Sequence, residues 1–541
     1  MNKRTVLQWD KDDCATAGLV KFDLLGLGML SAVHETVDQI ELMLDEVVDL
    51  ALIDQEDAVY DMLCRADTIG IFQVESRAQM STLPRLKPRT FYDLVVEIAL
   101  IRPGPIQGGS VHPYIRRRNG EEEVTYLHPL MKPALEKTLG VPLFQEQMMQ
   151  LAIDVASFSA QDADQLRQAM AAKRSQERMN TLKSRFYAGM EANGIADEIK
   201  HEIWAKLAAF ANFGFPESHS ISFAYLVYSS SWLKLHYPAA FCVGLLNSQP
   251  MGFYSPHSLI QDARRHGVVS FGPCINKSLP KAGLEQTNEW TPMTPPVGVD
   301  AKSDVIGQFN KARRDKGLGV RLGLTSINQV SEELADTIVA NSPYESIEDF
   351  IRKTKLNSKM NIGVLENLAQ AGAFDSIEEN RRDALWKVGA LQHVSDQTLE
   401  GIVTGLDVPE LSNQTGDDIA YADLTTTGIA INGHPTVFIR DELTKSGVVE
   451  VADLITLDSE KVKVAGIVTH KQRPPTAHGV TFMTLEDETG LANIVVSPGC
   501  WKRYSDVLVD NPGLIIKGRI ERKESVTVSY THLTLPTTPY V

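Results

Sequence analysis

From Lys461 onward the chain changes period, and that change constrains its fold more than any other feature. Val462, Val464 and Val468 alternate with Lys461, Lys463 and Thr469, the two-residue repeat of a strand with one face turned inward. VTFMTLED, LANIVVS and GLIIKGRIER come after it at short intervals, separated by glycine and acidic turns. Strands this short and this closely joined predict a small antiparallel barrel. The closing SYTHLTLPTTPYV breaks the pattern, being rich in Thr and Pro, and is expected to form a disordered tail.

Upstream the period is helical. Between Gln145 and Phe158 the apolar Met148, Met149, Leu151, Ala152, Val155 and Ala156 make one stripe. Ser159 followed by Asp162 predicts a capping box, with Asp in place of Glu, that opens the next helix. Pro103 and Pro105 within IRPGPIQGG mark a rigid loop. Residues 281–317 are Pro-rich and then charged, which predicts a linker, and short helices return over 318–376. At 541 residues the chain exceeds one core, so three or four domains are expected.

Composition narrows the function classes. A net charge of −16 argues against a protein that coats nucleic acid indiscriminately, although a local basic stripe stays compatible with it. The five cysteines are scattered with no CxxC pair, so neither a zinc site nor a disulfide framework is indicated. A reducing cytosol fits that usage. MNKRTVLQWDKDD lacks the apolar core of a secretory signal, and no apolar run is long enough to span a bilayer. A cytoplasmic protein without a membrane partner is expected.

Several residues carry candidate chemistry. Asp23 is the only acid in GLVKFDLLGLGML (18–30), and an acid in an apolar run is costly unless compensated. It is either a metal ligand on a sheet or a strand end meeting a loop. On one continuous helix Arg167, Arg174 and Arg178 would form a stripe beside small Ala171. Such a stripe suits phosphate, since the guanidinium fork matches its geometry; a solvated basic face is the alternative. Arg102 enters the Pro-Gly loop, placed to brace a carboxylate or to touch phosphate. The aromatics of 204–237 are read mainly as helix packing, with base stacking as the alternative, and His219 as a hydrogen-bonded structural histidine. Lys471 and Arg473 sit in HKQRPPTAHG, a basic, proline-stiffened barrel loop of the kind that grips single strands.

Taken together, these segments resemble the C-terminal part of the bacterial C-family DNA polymerases, the group of the polymerase III alpha subunit. LVKFDLLGLGML looks like the strand carrying the last palm aspartate. TIGIFQVES (68–76), ALIRPGPIQGG (99–109), LFQEQMM (143–149), LRQAMAAK (166–173), SHSISFAY (218–225) and WLKLHYPAAF (232–241) look like successive fingers motifs. QWDKDDCATAGLVKFDLLGLGML and QRPPTAHGVTFMTLEDETG are most similar to the error-prone branch.

The resemblance implies a multidomain, mainly α protein: a remnant of an α/β palm (1–30), helical fingers (31–280), a connection (281–317), a helix-hairpin-helix region (318–376), a connecting segment (377–457) and a C-terminal OB-type β-barrel (458–528), ahead of the tail (529–541). It implies attack of a primer 3′-hydroxyl on a deoxynucleoside triphosphate, with two Mg²⁺ ions held by aspartates. Asp23 matches the third of three such carboxylates, catalytic and metal-binding. Arg167 and Lys173 match positions facing the triphosphate, and Arg174 and Arg102 join them as phosphate-binding candidates. Arg178, Lys471 and Arg473 are the candidates for nucleic-acid contact. The implied partners are primer-template and single-stranded template DNA, dNTPs, a sliding clamp and accessory mutagenesis proteins, and the implied role is mutagenic synthesis past lesions.

Departures from the family pattern set further expectations. The family's D-x-D palm pair has no counterpart before Asp23, since Asp10, Asp12 and Asp13 belong to a different motif. A fragment that does not polymerise alone is therefore expected, with a non-catalytic single-stranded DNA-binding or scaffolding protein as the alternative. A third reading, an unrelated metal-dependent hydrolase using Asp23, lacks any His/Asp cluster legible in the sequence. The first hairpin, SINQVSEE, lacks the usual glycines, which predicts a weakened DNA grip. No clamp-binding pentapeptide stands between 376 and 425.

Overall fold

The computed structural model describes residues 26–534 except 103–110, 171–174, 211–214, 290–304, 357–361, 395–398, 400–401, 403–404, 413, 458–460, 474–476, 478 and 524, together with residues 9, 14 and 17–19. Asp23 and the strand expected around it lie outside the described residues. Immediately downstream the chain is helical: helix α1 spans Leu27–Leu44. The last four residues of the apolar run are thus the first turn of a helix, not the end of a strand. An apolar run this short does not distinguish the two by periodicity.

A set of buried helices builds the stretch expected to form the fingers. Helix α2 (Phe91–Leu100) is buried along nearly its whole length and is opened by a Thr90/Asp93 capping box. Helix α3 (Gln145–Ala156) buries Met148, Leu151, Ala152, Val155 and Ala156, the expected stripe. Helix α4 (Ala160–Met170) starts where Ser159 and Asp162 predicted, with the Asp162 carboxylate accepting the Ser159 N–H at 3.1 Å. Helix α5 begins at Ser175 and runs to Ala192. Helices α3, α4 and α5 share a core that includes Phe158, Phe186 and Trp204, while α2 belongs to the core around the helix over Glu217–His236.

Helix α6 (Glu217–His236) buries every residue from Val227 to its end, and α7 (Pro238–Asn247) comes directly after Tyr237. Helix α7 lies so close to α1 that a Cβ on Gly244 would stand 2.4 Å from the Ala32 carbonyl oxygen. Only glycine fits there. Helix α8 (Pro256–Arg265) carries the fingers toward the rest of the chain.

The stretch read as a linker is built into the structure at both ends. Strand β2 (Gly283–Gln286) pairs antiparallel with β3 (Leu318–Arg321), which pairs parallel with β1 (Ser270–Phe271). Helix α9 (Val305–Ala312) packs Phe309 into the fingers core. The prolines behind the linker reading lie outside the described residues, and proline content gives no sign of the short elements beside them.

Helices α10 (Glu332–Ala340), α11 (Ile347–Thr354), α12 (Ile362–Gln370) and α13 (Arg381–Leu391) share a second core around Phe350, Leu368 and Phe374. The first hairpin turns without glycine because Gln329 itself adopts φ +69. A non-glycine residue in that region is uncommon.

The C-terminal strands close into a barrel in the order β4-β5-β6-β8-β7, with β4 Lys461–Gln472, β5 Thr481–Glu486, β6 Leu491–Val496, β7 Gly513–Lys523 and β8 Ser525–Thr534. Most pairings are antiparallel; β6 and β8 run parallel. Val462, Val464, Met483, Leu485, Ile494 and Ile516 fill its interior. The register of β4 against β5 shifts between Val468 and His470, a bulge that interrupts the alternation. Ser529–Thr534, expected in a disordered tail, belong to β8 and pair with β7. Two prolines placed further on do not disturb a strand that ends before them.

Candidate nucleic-acid interface

On the fingers, the start of α6 presents a row of rings. Phe215 is fixed by a parallel bridge to Phe144, and its carbonyl accepts the Gln145 N–H at 3.0 Å. The N–H of Glu217 donates to the Glu146 carboxylate at 2.9 Å, and Tyr92 donates to Glu217 at 2.7 Å. Four residues apart on one helix face, His219 and Phe223 continue the row. Ring centroids lie 5.2 Å apart for Phe215 and His219, 4.4 Å for His219 and Phe223, and 5.3 Å for Phe223 and Phe72. His219, expected as a hydrogen-bonded histidine, meets these neighbours through its ring instead.

Arg102 caps this row, its guanidinium 3.9 Å from the centre of the Phe215 ring. Among the described residues it has no carboxylate partner, so the bracing role expected for it is not seen. Partial burial lowers its pKa from the ordinary arginine value. A cation over an aromatic face keeps its N–H edges free for an anion.

The arginine stripe is different. Arg167 turns back on its own helix, its Nε 2.9 Å from Asp164. Lys173 and Arg174 lie outside the described residues. Arg178 falls on α5, whose description does not extend to that side chain. Because α4 ends at Met170 and α5 starts at Ser175, the stripe does not rest on one described helix.

At the barrel, Lys471 donates to the Leu508 carbonyl at 3.1 Å and is thereby tied to the helix over Pro498–Asp510. Arg473 is exposed and stands 5.2 Å from the centre of the Trp501 ring. Sequence reasoning missed Trp501. Its only signal there was position, in CWKRY just after a strand.

Two buried clusters have metal-ligand composition: Asp67, Asp262 and His266, and His257, His434 and Glu486. In the first a lysine occupies the middle. Lys234 Nζ is 3.0 Å from Asp67 and 2.8 Å from Asp262, and His266 Nε2 is 2.7 Å from Asp67. Lys234 also donates to the Ile69 carbonyl at 3.0 Å, pinning the TIGIFQVES loop. Burial works to raise the Asp67 carboxyl, yet the charges of His266 and Lys234 carry it well below the usual carboxylate range. Burial likewise opposes charge on His266, and Asp67 and Asp262 overcome it to raise its pKa. A fully paired ammonium leaves no room for Mg²⁺, and the second cluster offers nitrogen donors where Mg²⁺ prefers oxygen. Neither fits the two-ion site.

Comparison with known proteins matches this layout segment by segment. A profile described as bacterial DNA polymerase III alpha subunit finger domain matches residues 29–194, a helix-hairpin-helix motif 267–384, and an OB-fold nucleic acid binding domain 462–535. The chain is 53% identical over 528 residues to the error-prone DNA polymerase of Mycolicibacterium paratuberculosis, an alignment covering 96% of this chain. The chain is homologous to the bacterial C-family DNA polymerases of the error-prone branch. Against the error-prone DNA polymerase of Nocardia farcinica it is 51% identical over 99% of its length, and against that of Corynebacterium glutamicum 49% over 97%. The chain spans less than half the length of these relatives, 45%, 45% and 47% respectively. Within this C-family frame the helix-hairpin-helix match begins at 267 and so takes in the small β1-β3-β2 sheet. Among the described residues no helix is long and apolar enough to cross a membrane.

Proposed function

We propose that this chain serves template-directed DNA synthesis, transferring nucleotides from dNTPs to a primer 3′-hydroxyl, and that this synthesis is error-prone and proceeds past lesions. The observation that carries the reading is the collinear identity to error-prone DNA polymerases over 96% of the chain. The Arg102–Phe215 stack at the head of the aromatic row supports a fingers surface facing nucleotide and template. Arg167, Lys173 and Arg174 are proposed to meet the triphosphate, and Arg178, Lys471 and Arg473 the DNA. Asp23 is proposed as one carboxylate of a site for two Mg²⁺ ions, which needs further carboxylates beside it. A sliding clamp and accessory mutagenesis proteins are proposed as partners, and the cytoplasm as the location.

The Arg473–Trp501 pair on an OB-type barrel favours a second reading, single-strand binding without chemistry. One experiment separates the two: primer extension on undamaged and lesion-bearing templates with Mg²⁺ and dNTPs, by the chain joined to a palm segment that carries the D-x-D pair, since the chain alone is not expected to polymerise, beside equilibrium binding of the same primer-template. Extension abolished by Asp23→Asn supports the first reading. Binding without extension supports the second, and the absence of both contradicts each.

A further inference from the structure

The second buried cluster lies where fingers, a connecting strap and the barrel meet. His257 comes from α8, His434 from the strap over 429–436, and Glu486 from the end of β5. One ligand-type atom from each lies within 4.8 Å of the others, which is metal-site spacing. The hydrogen bonding argues against a metal. His257 Nδ1 accepts the Ala430 N–H at 3.2 Å. His434 Nδ1 accepts the Thr436 N–H at 3.3 Å and lies 2.5 Å from that residue's hydroxyl. A neutral imidazole that accepts at Nδ1 carries its proton on Nε2, so His257 has no lone pair there for a metal. Glu486 is already engaged, accepting from Ser258 at 2.7 Å and from Arg265 at 3.0 Å.

We propose that His257, with His434 beside it, forms a neutral-imidazole clasp that holds the strap over 429–436, and through its Thr436–Glu488 bond the barrel, against the fingers while uncharged, and releases it on mild acidification. Protonation turns both ring nitrogens into donors. Nδ1 of His257 would then point a proton at the Ala430 N–H, donor against donor, and break one of the bonds joining strap to fingers, beside those that Gln261 donates to the Ala430 carbonyl at 2.8 Å and Arg264 to the Ile431 carbonyl at 2.9 Å.

The surrounding charges reinforce this. Arg265 on α8 acts on both rings, and Arg440, just beyond the strap, acts on His434. Glu486 offers the nearest negative charge, but Arg265 neutralises it. Asp487 and Glu488 beyond it pair with Arg440, and Asp262 lies 3.8 Å from Arg265. Burial first, then Arg265, lowers His257 to about 4, and burial with the same cations holds His434 well below its ordinary value. Each group therefore binds its proton more readily when undocked. Docking is complete above the ordinary histidine pKa of about 6.5 and weakens as pH falls toward 4. In that window each histidine raises the undocking constant by up to about tenfold per pH unit.

The third histidine of this interface serves as control. His470 reaches the Phe253 carbonyl through Nε2, a bond that a protonated ring also makes and that offsets part of the lowering that burial imposes on it.

The test is small-angle scattering of the full chain at pH 7.5 and pH 5.0, with far-UV circular dichroism alongside. The expected result is a larger radius of gyration at pH 5.0 with helix content unchanged. The double variant His257→Asn, His434→Asn keeps an acceptor at each Nδ1 position and does not titrate, so its radius is expected to stay constant. His470→Asn is expected to expand as the wild type does. Hydrogen exchange of the wild type, corrected for intrinsic rate, gives a readout that needs no variant: the peptides over 429–436 and 481–486 lose protection at pH 5.0. An unchanged wild-type radius with unchanged protection overturns the proposal, as does a double variant that expands like the wild type.

Discussion

The two buried clusters use the same residue types and reach opposite electrostatic states. Around Lys234 the ammonium is paired with two carboxylates, and Asp67 and Asp262 raise the pKa of His266 against its burial. Around Glu486 burial holds two histidines neutral, and Arg265 and Arg440 add to it where in the first cluster carboxylates oppose it. Composition alone does not decide the protonation state of a buried histidine; the sign of its nearest neighbours does. The first arrangement locks the TIGIFQVES loop to α6 and α8 inside the fingers, and the second joins the fingers to a separate core.

The largest effect is expected from breaking the charged cluster. Lys234→Met leaves Asp67 and Asp262 buried without their cation, and chemical denaturation is expected to show a loss of about 3–5 kcal/mol. A loss below about 1 kcal/mol would show that the cluster is not a network of charges. At the junction, Glu486→Gln keeps the size of the side chain but removes the charge facing Arg265. Its expected cost is about 2–3 kcal/mol, the range for a hydrogen bond to a charged group, and exchange protection should fall in β5 before it falls in α6.

Acid sharpens the comparison by sign. A raised histidine such as His266 contributes stability in full below about pH 6.5, lost only as pH rises through its folded-state value. The depressed pair contributes in the opposite sense. Between pH 7.5 and 5.0 the barrel should therefore loosen while the fingers core does not, as read by hydrogen exchange. Asp67, depressed below its usual range, begins to cost stability only once pH falls below about 4. The smallest effect is expected from Arg167→Ala, which removes a half-exposed, solvent-screened pair with Asp164 and should leave the denaturation midpoint unchanged. Any larger effect on nucleotide affinity would then report its proposed role and not its packing.

The barrel was legible because alternation is a short-range signal, and Val462, Val464, Met483 and Ile494 announce their inward face within their own strands. The capping box at Ser159 was legible for the same reason. The clusters were not, since Asp67 and His266 meet across 199 residues and no local pattern marks the encounter. The hairpin at Gln329 shows a different gap: the missing glycines bear on its expected DNA grip, while the turn itself is made with Gln329 at positive φ. Helix α1 replaced a strand end and β8 replaced part of a tail, both at the edges of elements, where propensity speaks least. Asp23, Lys173 and Arg174 rest on family resemblance together with sequence pattern.

The most direct test of the account is salt-dependent binding of a fluorescent single-stranded oligonucleotide to the wild-type chain and to Trp501→Ala. Affinity is expected to fall steeply with salt, and Trp501→Ala to weaken binding by roughly tenfold through loss of about 1–2 kcal/mol of stacking. No binding at low salt, or equal affinity in the two proteins, would contradict it.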